Sequence, residues 1–478
     1  MRRLTARFAT CLLAAALATG ALTVPAPAET LADFGYGSMR IDGVPASGQR
    51  KLVVILAQFA GMPNFVHGPS YFDSLLFHPA PPSGQRSVNG FLLENSAGRF
   101  QWSKAGIIGP LNFTANETAA NFQFGFSDTG YIRNIVRRAV NTGAVNFASY
   151  DHDADGVVRT SELSILILTN GDNALGNRSA GTFGVAGASF TISNQRVAMV
   201  REVDDFVTLT HEITHSLGAF DLYGSASLSQ YLTLMHNGGA VHWDDSWHLD
   251  PWHEMALGWC EPRLVPMREG GRFVLPAAQS SITDRPLLLY DPAHGNREYF
   301  LVEYRTPSSP WGGGYDTQVS DRGMILWHVQ LDSANEPLIV PGQITGTDRA
   351  VWAEGPPNFQ RGSMFAWQSV GTTPKLVWAN GSQAPCAIEI RPWSAGDGSM
   401  TVEVVRLEDT WADFQYLGAP FFPENGSNSA PWNTLTEAYL ATGWGGTLRI
   451  KSSATNTPAT LSKRMTITAE GGPVRIGP

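Results

Sequence analysis

The chain has 478 residues and a formal net charge of −9, and 16% of its residues are charged. That length exceeds one ordinary hydrophobic core, so two or three domains are expected. The acidic balance, with no basic run after the N-terminus, disfavours nucleic acid as a partner.

The first 28 residues predict a secretory signal peptide. They pass from a basic start through an apolar alanine and leucine run to a small-residue end at Ala26-Pro27-Ala28. No later segment approaches the roughly 20 uninterrupted apolar residues that a spanning helix needs. We therefore expect a secreted, extracellular protein without a membrane span. Residues 29–50 are expected to form an N-terminal extension or a pro-segment.

Residues 51–262 predict a mixed sheet with helices packed on it. The apolar runs Lys51–Phe59 and Leu163–Thr169 predict buried strands. Tyr131–Thr142 has apolar residues at helical spacing and predicts a helix. Between these last two segments, Asp151–Glu162 matches a calcium-binding loop, with Gly156 at the sharp turn.

The expected calcium ligands of this loop are the carboxylates Asp151, Asp153, Asp155 and Glu162 and the carbonyl of Val157. Arg159 occupies the ninth position, where such loops place water or a small polar side chain. A solvated acidic turn without an ion is the alternative. If calcium binds, we expect a structural role for it.

A second helix is predicted over Phe206–Leu217, and it carries the pattern His211-Glu212-Ile213-Thr214-His215. Residues four apart on a helix lie about 40° apart around its axis, so both imidazoles can bind one zinc ion. Glu212 is rotated about 100° from His211, which suits a general base acting on water. A helix with two surface histidines, a C-cap glycine and a capping aspartate is the alternative.

The third zinc ligand is expected from the turn after this helix. Glycine can adopt the positive φ that ends a helix, so Gly218 would bring Asp221 to the metal. Met235 lies in a glycine-rich stretch and predicts a methionine turn beneath the ligands. The adjacent His236 is an alternative ligand.

After Pro262 the pattern changes to alternating strands, which predicts a β-sandwich-like domain over residues 263–407. The predicted strand segments are 272–277, 298–305, 323–329, 375–379 and 400–406. Cys260 and Cys386 remain after the signal peptide, and both a disulfide and two buried thiols are open interpretations.

Residues 408–478 combine one helix-like segment with short strands and are similar to the start of a parallel β-helix. We expect an appended module there, with contact to a cell surface or a glycan as one role. A small β-strand extension packed on the sandwich is the alternative.

Several motifs resemble the immune inhibitor A-like (M6) family of secreted zinc metallopeptidases. The resemblance rests on HEITHSLGAFDLYG (211–224), LTLMHNGG (232–239) and DPWHEMALGW (250–259), and spans roughly residues 51–329. It implies a zincin-like α/β (α+β) catalytic domain, zinc ligation by His211 and His215, and a proteolytic role for Glu212. Relatives often carry an acidic residue where this chain has Gly224.

The expected function is a secreted zinc endopeptidase that cuts protein or peptide substrates, with zinc and calcium as cofactors. The alternative is a non-catalytic exported adhesion or glycan-binding protein whose metal sites stabilise the fold. The intact Glu212 favours the enzyme.

Overall fold

The computed structural model describes most of the chain, and residues 1–28 lie outside the described residues. The described residues are 29–82, 85–114, 129–170, 176–222, 232–236, 246–278, 283–306, 314–317, 319, 322–338, 351–354, 365–366, 376–390, 398–406, 409–417, 424, 426–442, 447–457, 460–461 and 465–477.

Within these residues the α-helices are α1 (Pro69–Phe77), α2 (Val88–Asn95), α3 (Thr129–Asn141), α4 (Phe206–Thr214), α5 (Pro251–Ala256) and α6 (Leu435–Ala441). Short 3-10 helices cover Leu31–Phe34, Phe147–Tyr150 and His215–Leu217.

The strands before α4 are β1 (Arg40–Ile41), β2 (Val44–Pro45), β3 (Gly48–Phe59), β4 (Phe100–Phe113), β5 (Val157–Arg159), β6 (Ser164–Thr169), β7 (Gly176–Arg178), β8 (Gly181–Gly184), β9 (Thr191–Asn194) and β10 (Val197–Arg201). The strands after α5 are β11 (Glu261–Pro266), β12 (Gly271–Pro276), β13 (Thr283–Tyr290), β14 (Glu298–Arg305), β15 (Gly323–Gln330), β16 (Val351–Glu354), β17 (Phe365–Ala366), β18 (Cys386–Ile390), β19 (Ser399–Arg406), β20 (Asp409–Ala412), β21 (Thr447–Lys451), β22 (Ala454–Thr455), β23 (Thr466–Glu470) and β24 (Arg475–Ile476).

A five-stranded sheet with helices on both faces forms the first region, as its mixed α/β pattern predicts. The strand order is β4-β3-β6-β10-β7, and every pair is parallel except β10 with β7. Alternate residues of β3 face opposite sides. Leu52, Val54 and Leu56 lie in the core with α1, α2 and α4, whereas Val53 and Ile55 lie in the core with α3. The predicted strands and helices of this region are thus confirmed.

Two sheets facing a shared core form the second region. A six-stranded sheet has the order β11-β13-β14-β15-β16, with β17 also on β15, and a three-stranded sheet has the order β12-β19-β18. Phe300 and Val302 of the first sheet and Val402 of the second lie in one buried cluster. Of the predicted strand over 375–379, residue 375 lies outside the described residues, and the rest forms one arm of a short hairpin: the Trp378 amide donates to the Ser382 carbonyl, the Ala384 amide donates to the Leu376 carbonyl, and Val377 makes an isolated bridge with Gln383.

The other face of the six-stranded sheet packs against the first region. Tyr299, Leu301 and Trp327 lie in the same buried cluster as the helices on the central sheet. Phe34, from the segment before β1, is fully buried, with its ring centroid 5.4 Å from that of Tyr299. The Tyr299 hydroxyl also donates to the Phe34 carbonyl at 2.7 Å. The hydrophobic core is therefore continuous across residue 262 and includes the N-terminal segment.

Parallel pairing dominates the last residues. Strands β20, β21 and β23 pair in parallel in that order, and β22 pairs in parallel with β24. Trp432, Leu435, Leu448 and Ile450 form a small separate core under α6.

Cys260 and Cys386 are both buried and unpaired, so the structure answers the open question of a disulfide in favour of two thiols. Burial raises the pKa of both thiols. Among the described residues, no helix is long and apolar enough to cross a membrane.

Candidate metal centre

The helix α4 positions the two predicted zinc histidines. Asp205 caps its start by accepting a hydrogen bond from the Thr208 amide at 2.7 Å. A 3-10 turn extends the helix from His215 to Leu217. His211 and His215 lie one turn apart on the same face, with ring centroids 4.7 Å apart and the rings nearly perpendicular, at 89°. The predicted helix and its histidine face are confirmed.

Gly218 ends the helix and turns the chain back toward the histidines. Its φ is +105°, a backbone conformation that residues with a Cβ rarely adopt. Three residues later, the Asp221 Oδ1 atom lies 3.2 Å from His211 Nε2 and 3.1 Å from His215 Nε2. The two Nε2 atoms are 3.1 Å apart. The turn thus completes a nearly equilateral triangle of one oxygen and two nitrogens.

Hydrogen bonds on the far side of each ring fix which nitrogen faces the triangle as an acceptor. His211 Nδ1 lies 2.8 Å from the Leu234 carbonyl oxygen, and His215 Nδ1 lies 2.8 Å from the Ala219 carbonyl oxygen. A carbonyl can only accept, so each Nδ1 carries the proton in this tautomer assignment. In the neutral form of each ring, the lone pair on Nε2 therefore points at Asp221.

The three atoms fit a bound cation. Asp221 Oδ1 is buried and accepts no well-formed hydrogen bond, although it lies at ion-pair distance from both rings. One proton can bridge only one edge of such a triangle, whereas one cation can satisfy all three atoms. Tetrahedral zinc ligands at bonds of ~2.0–2.1 Å lie roughly 3.3 Å apart. The chemistry and the spacing of the donors both suit zinc.

The charges around the triangle favour a cation in the same way. Burial disfavours the ionised form of Asp221, but hydrogen bonds and positive charge from the two imidazoles in their protonated form outweigh it and hold the pKa of Asp221 below its ordinary value. Burial also favours neutral His211, but the carboxylates of Asp221 and Glu212 raise the pKa of His211 above its ordinary value. The pocket therefore attracts positive charge.

Glu212 lies beside the triangle without belonging to it. Among the described residues, the possible zinc-ligand cluster contains His211, His215 and Asp221, and neither Glu212 nor His236. Glu212 is buried, and its main-chain carbonyl accepts a hydrogen bond from Asn177 Nδ2 at 3.1 Å. Asn177 lies on β7, so the helix is tied to the outer strand of the sheet at this residue.

The segment around Met235 lies directly behind the histidines. Met235 is fully buried, and its carbonyl accepts a hydrogen bond from the Leu222 amide at 2.9 Å. The preceding carbonyl, of Leu234, is the one that orients His211. The turn thus contacts both the first histidine and the residue after Asp221. Gly224 lies outside the described residues.

The Asp151–Glu162 loop adopts a closed turn in which an arginine takes part. Its three aspartates form a second cluster of possible metal ligands, and Gly156 has a φ of +82°. The Glu162 carboxylate accepts hydrogen bonds from the amides of His152 and Arg159, at 2.8 and 2.9 Å.

The guanidinium of Arg159 contacts Asp155 and, at 3.4 Å, Asp153. Its hydrogen bond to Asp155 lowers the pKa of that exposed carboxyl group. The unusual ninth residue therefore holds a positive charge next to two of the predicted calcium ligands.

A separate ionisable cluster lies in the six-stranded sheet. The Glu298 carboxylate is 2.7 Å from His328 Nε2 and 2.9 Å from His294 Nε2, and it accepts a hydrogen bond from the Ala379 amide at 2.6 Å. Burial opposes ionisation, but these contacts outweigh it and lower the pKa of Glu298 to about 2. The cluster joins β14 and β15 to the hairpin after residue 376.

Sequence reasoning did not find the carbonyl groups of Ala219 and Leu234, which fix the two imidazoles. Every residue has a carbonyl, so no side-chain pattern indicates which ones reach a histidine. Only the turn after Gly218 and the packing of the Met235 segment place them there.

Comparison with known proteins gives no match for this chain, either among protein-family models or among curated proteins.

Proposed function

We propose that this chain is a zinc-dependent endopeptidase, with zinc held by His211, His215 and Asp221. The observation that carries the proposal is the triangle of three buried acceptor atoms, 3.1–3.2 Å apart, next to a buried glutamate. When bound there, zinc supplies Lewis acidity toward water and toward a substrate carbonyl.

Glu212 is the proposed general base. It adjoins His211 on the helix but projects to a different side, so its carboxylate can act on water instead of joining the ligands. In peptide hydrolysis it accepts a proton from the attacking water as the new carbon–oxygen bond forms. It then returns that proton to the departing amine nitrogen as the carbon–nitrogen bond breaks.

The position of β7 supports a peptide as the substrate. β7 pairs with β10 on one side and with no second strand among the described residues. Its residue Asn177 contacts the main chain of Glu212. An extended peptide that added to the outer edge of β7 would run beside the base, and strand addition is a common mode of peptide recognition.

The architecture proposed for the chain follows the expected domains. Residues 51–262 would form a zincin-like domain, 263–407 a β-sandwich-like domain and 408–478 a β-helix-like module. The two sheets around one core and the in-register parallel pairing of β20, β21 and β23 support the last two assignments.

The remaining proposals rest on the sequence motifs. The resemblance to immune inhibitor A-like metallopeptidases and the signal-peptide pattern of residues 1–28 support a secreted enzyme. Structural calcium at the Asp151–Glu162 loop is a further proposal, supported by its ligand pattern.

Casein hydrolysis by the purified full chain tests the proposal. We expect activity that a chelator abolishes and zinc restores, and that Glu212→Gln removes while zinc stays bound. Gln cannot accept the proton, so activity should be lost. Because Gln is nearly isosteric with Glu, the zinc content should be equal in both proteins. Normal cleavage by Glu212→Gln would exclude this glutamate as the base. A wild-type protein that binds zinc and cuts no protein substrate would favour the non-catalytic binding protein.

A further inference from the structure

The carbonyl groups that orient the two zinc histidines belong to peptide groups whose N–H groups also donate hydrogen bonds. The Ala219 carbonyl accepts from His215 Nδ1, and the N–H of the same peptide group, that of Phe220, donates to His253 Nε2 at 3.2 Å. His253 Nδ1 then donates to Asp250 Oδ2 at 2.7 Å. A continuous chain of hydrogen bonds therefore joins His215 to Asp250.

The second histidine is connected to the same carboxylate oxygen by a second route. The Leu234 carbonyl accepts from His211 Nδ1, and the N–H of the same peptide group, that of Met235, donates to Thr233 Oγ1 at 3.3 Å. The Thr233 hydroxyl donates in turn to Asp250 Oδ2 at 2.8 Å. Both routes thus end on one atom.

Burial strengthens these hydrogen bonds, because water does not screen them. Asp250 and His253 have no exposed surface, and Thr233 has none either. Asp250 makes two further hydrogen bonds with the same residues. Its Oδ1 accepts from the His253 amide and so caps α5, and its own amide donates to Thr233 Oγ1. The contacts of His253 hold the pKa of Asp250 below its ordinary value against burial, so the carboxylate is charged.

Every donor along both routes points toward Asp250. Hydrogen bonds aligned in this way polarise one another, and partners behind metal-bound histidines fix the ring orientation and raise ligand basicity. A negative charge at the common end therefore draws each Nδ1 proton toward its carbonyl and increases the electron density at each Nε2. On either route, one peptide group and one side chain lie between the histidine Nδ1 and Asp250 Oδ2.

We propose that Asp250 is the positioning residue of the zinc site, acting on His215 through His253 and on His211 through Thr233. This inference rests on the proposed zinc site and goes beyond it, because it assigns roles to three residues outside the ligand set. Held in this way, the two histidines cannot rotate independently, and the turn that carries Asp221 is fixed at Phe220.

Zinc affinity of the full chain, measured by competition with a chromophoric chelator, tests the proposal. Asp250→Asn should weaken zinc binding roughly 10- to 100-fold, the usual effect of losing such a partner. Thr233→Val and His253→Gln should each cause a smaller loss. The d–d absorption of the cobalt-substituted protein should shift in Asp250→Asn, because the ligand field at both histidines changes.

Matched controls separate this role from a general loss of stability. Asp291→Asn, Thr442→Val and His328→Gln alter buried residues of the same types in other elements, directly after β13, directly after α6 and in β15. They should leave zinc affinity and the cobalt spectrum unchanged. Thermal unfolding of each metal-free protein identifies any variant that fails to fold. If Asp250→Asn fails to fold, the zinc affinities of Thr233→Val and Thr442→Val are compared instead, because each variant removes one hydroxyl. Only Thr233→Val should bind zinc more weakly.

A double-mutant cycle gives the most specific outcome. Because both routes end on Asp250, the losses from Thr233→Val and His253→Gln should shrink in the Asp250→Asn background. Wild-type zinc affinity and an unchanged cobalt spectrum in Asp250→Asn would overturn the proposal, and so would fully additive losses. If His211→Ala abolishes zinc binding while Asp250→Asn keeps the wild-type zinc affinity, the zinc site stands and only the positioning role of Asp250 fails. If Asp250→Asn, Thr233→Val and His253→Gln weaken zinc binding in a protein that has no peptidase activity, only the proposed function fails.

Discussion

Replacing Gly218 with alanine should destabilise the protein. At a φ of +105° a residue with a Cβ is strained, at a cost of about 1–3 kcal/mol. The new Cβ would also lie 2.9 Å from Met39 Cγ, and forced overpacking costs about 1–3 kcal/mol. The lower conformational entropy of the unfolded alanine chain offsets about 0.4–1 kcal/mol. The free energy of unfolding should therefore fall by about 1–6 kcal/mol.

Urea unfolding of the metal-free protein measures this loss, and Gly143→Ala provides the control. Gly143 also has a positive φ, of +68°, but no atom lies within 4 Å of the point that an added Cβ would occupy. Its replacement should cost only about 1–2 kcal/mol. In a Met39→Ala background the cost of Gly218→Ala should decrease, because the collision is removed. A Gly218→Ala protein no less stable than Gly143→Ala would refute the reasoning.

Three further predictions concern other parts of the chain. Glu298→Gln should lower the free energy of unfolding at pH 7 by about 1–2 kcal/mol, because the native pKa of about 2 lies below the unfolded one. That difference should vanish as the pH falls from about 4.5 toward 2, in acid titrations of stability; a constant difference would contradict it. Cys260 and Cys386 are buried with raised thiol pKa values, so alkylation should require unfolding, and rapid labelling of the native protein would contradict their burial. Arg159→Gln should strengthen calcium binding at its loop, measured by calorimetry, because a competing positive charge leaves Asp155; unchanged calcium affinity would exclude that competition.

Local spacing accounts for the parts of the fold that the sequence predicted correctly. The continuous apolar run of β3 predicts a strand buried on both faces, and it has one core on each side. The spacing of His211 and His215 predicts a shared helix face, and Gly218 predicts the turn that follows. Each of these depends on backbone geometry within a few residues, which sequence patterns reflect directly.

Patterns were less informative where contacts between distant segments decide the structure. The described part of the segment 375–379 pairs with residues 382–384 in a short hairpin, and its Leu376 and Trp378 lie in the core between the two sheets. No side-chain pattern indicated that the buried Asp250 and His253 connect by hydrogen bonds to the segments that orient His211 and His215.

The sequence by itself determined which groups can bind a metal at this site: two imidazoles on one helix face, a turn glycine and an aspartate after it. The tertiary structure decided how those groups are held. The ring of His211 is oriented by the carbonyl of Leu234, 23 residues away, and both histidines connect to Asp250, which caps another helix. Helical spacing is a property of neighbouring residues, whereas contacts between distant segments exist only once a common core has brought them together.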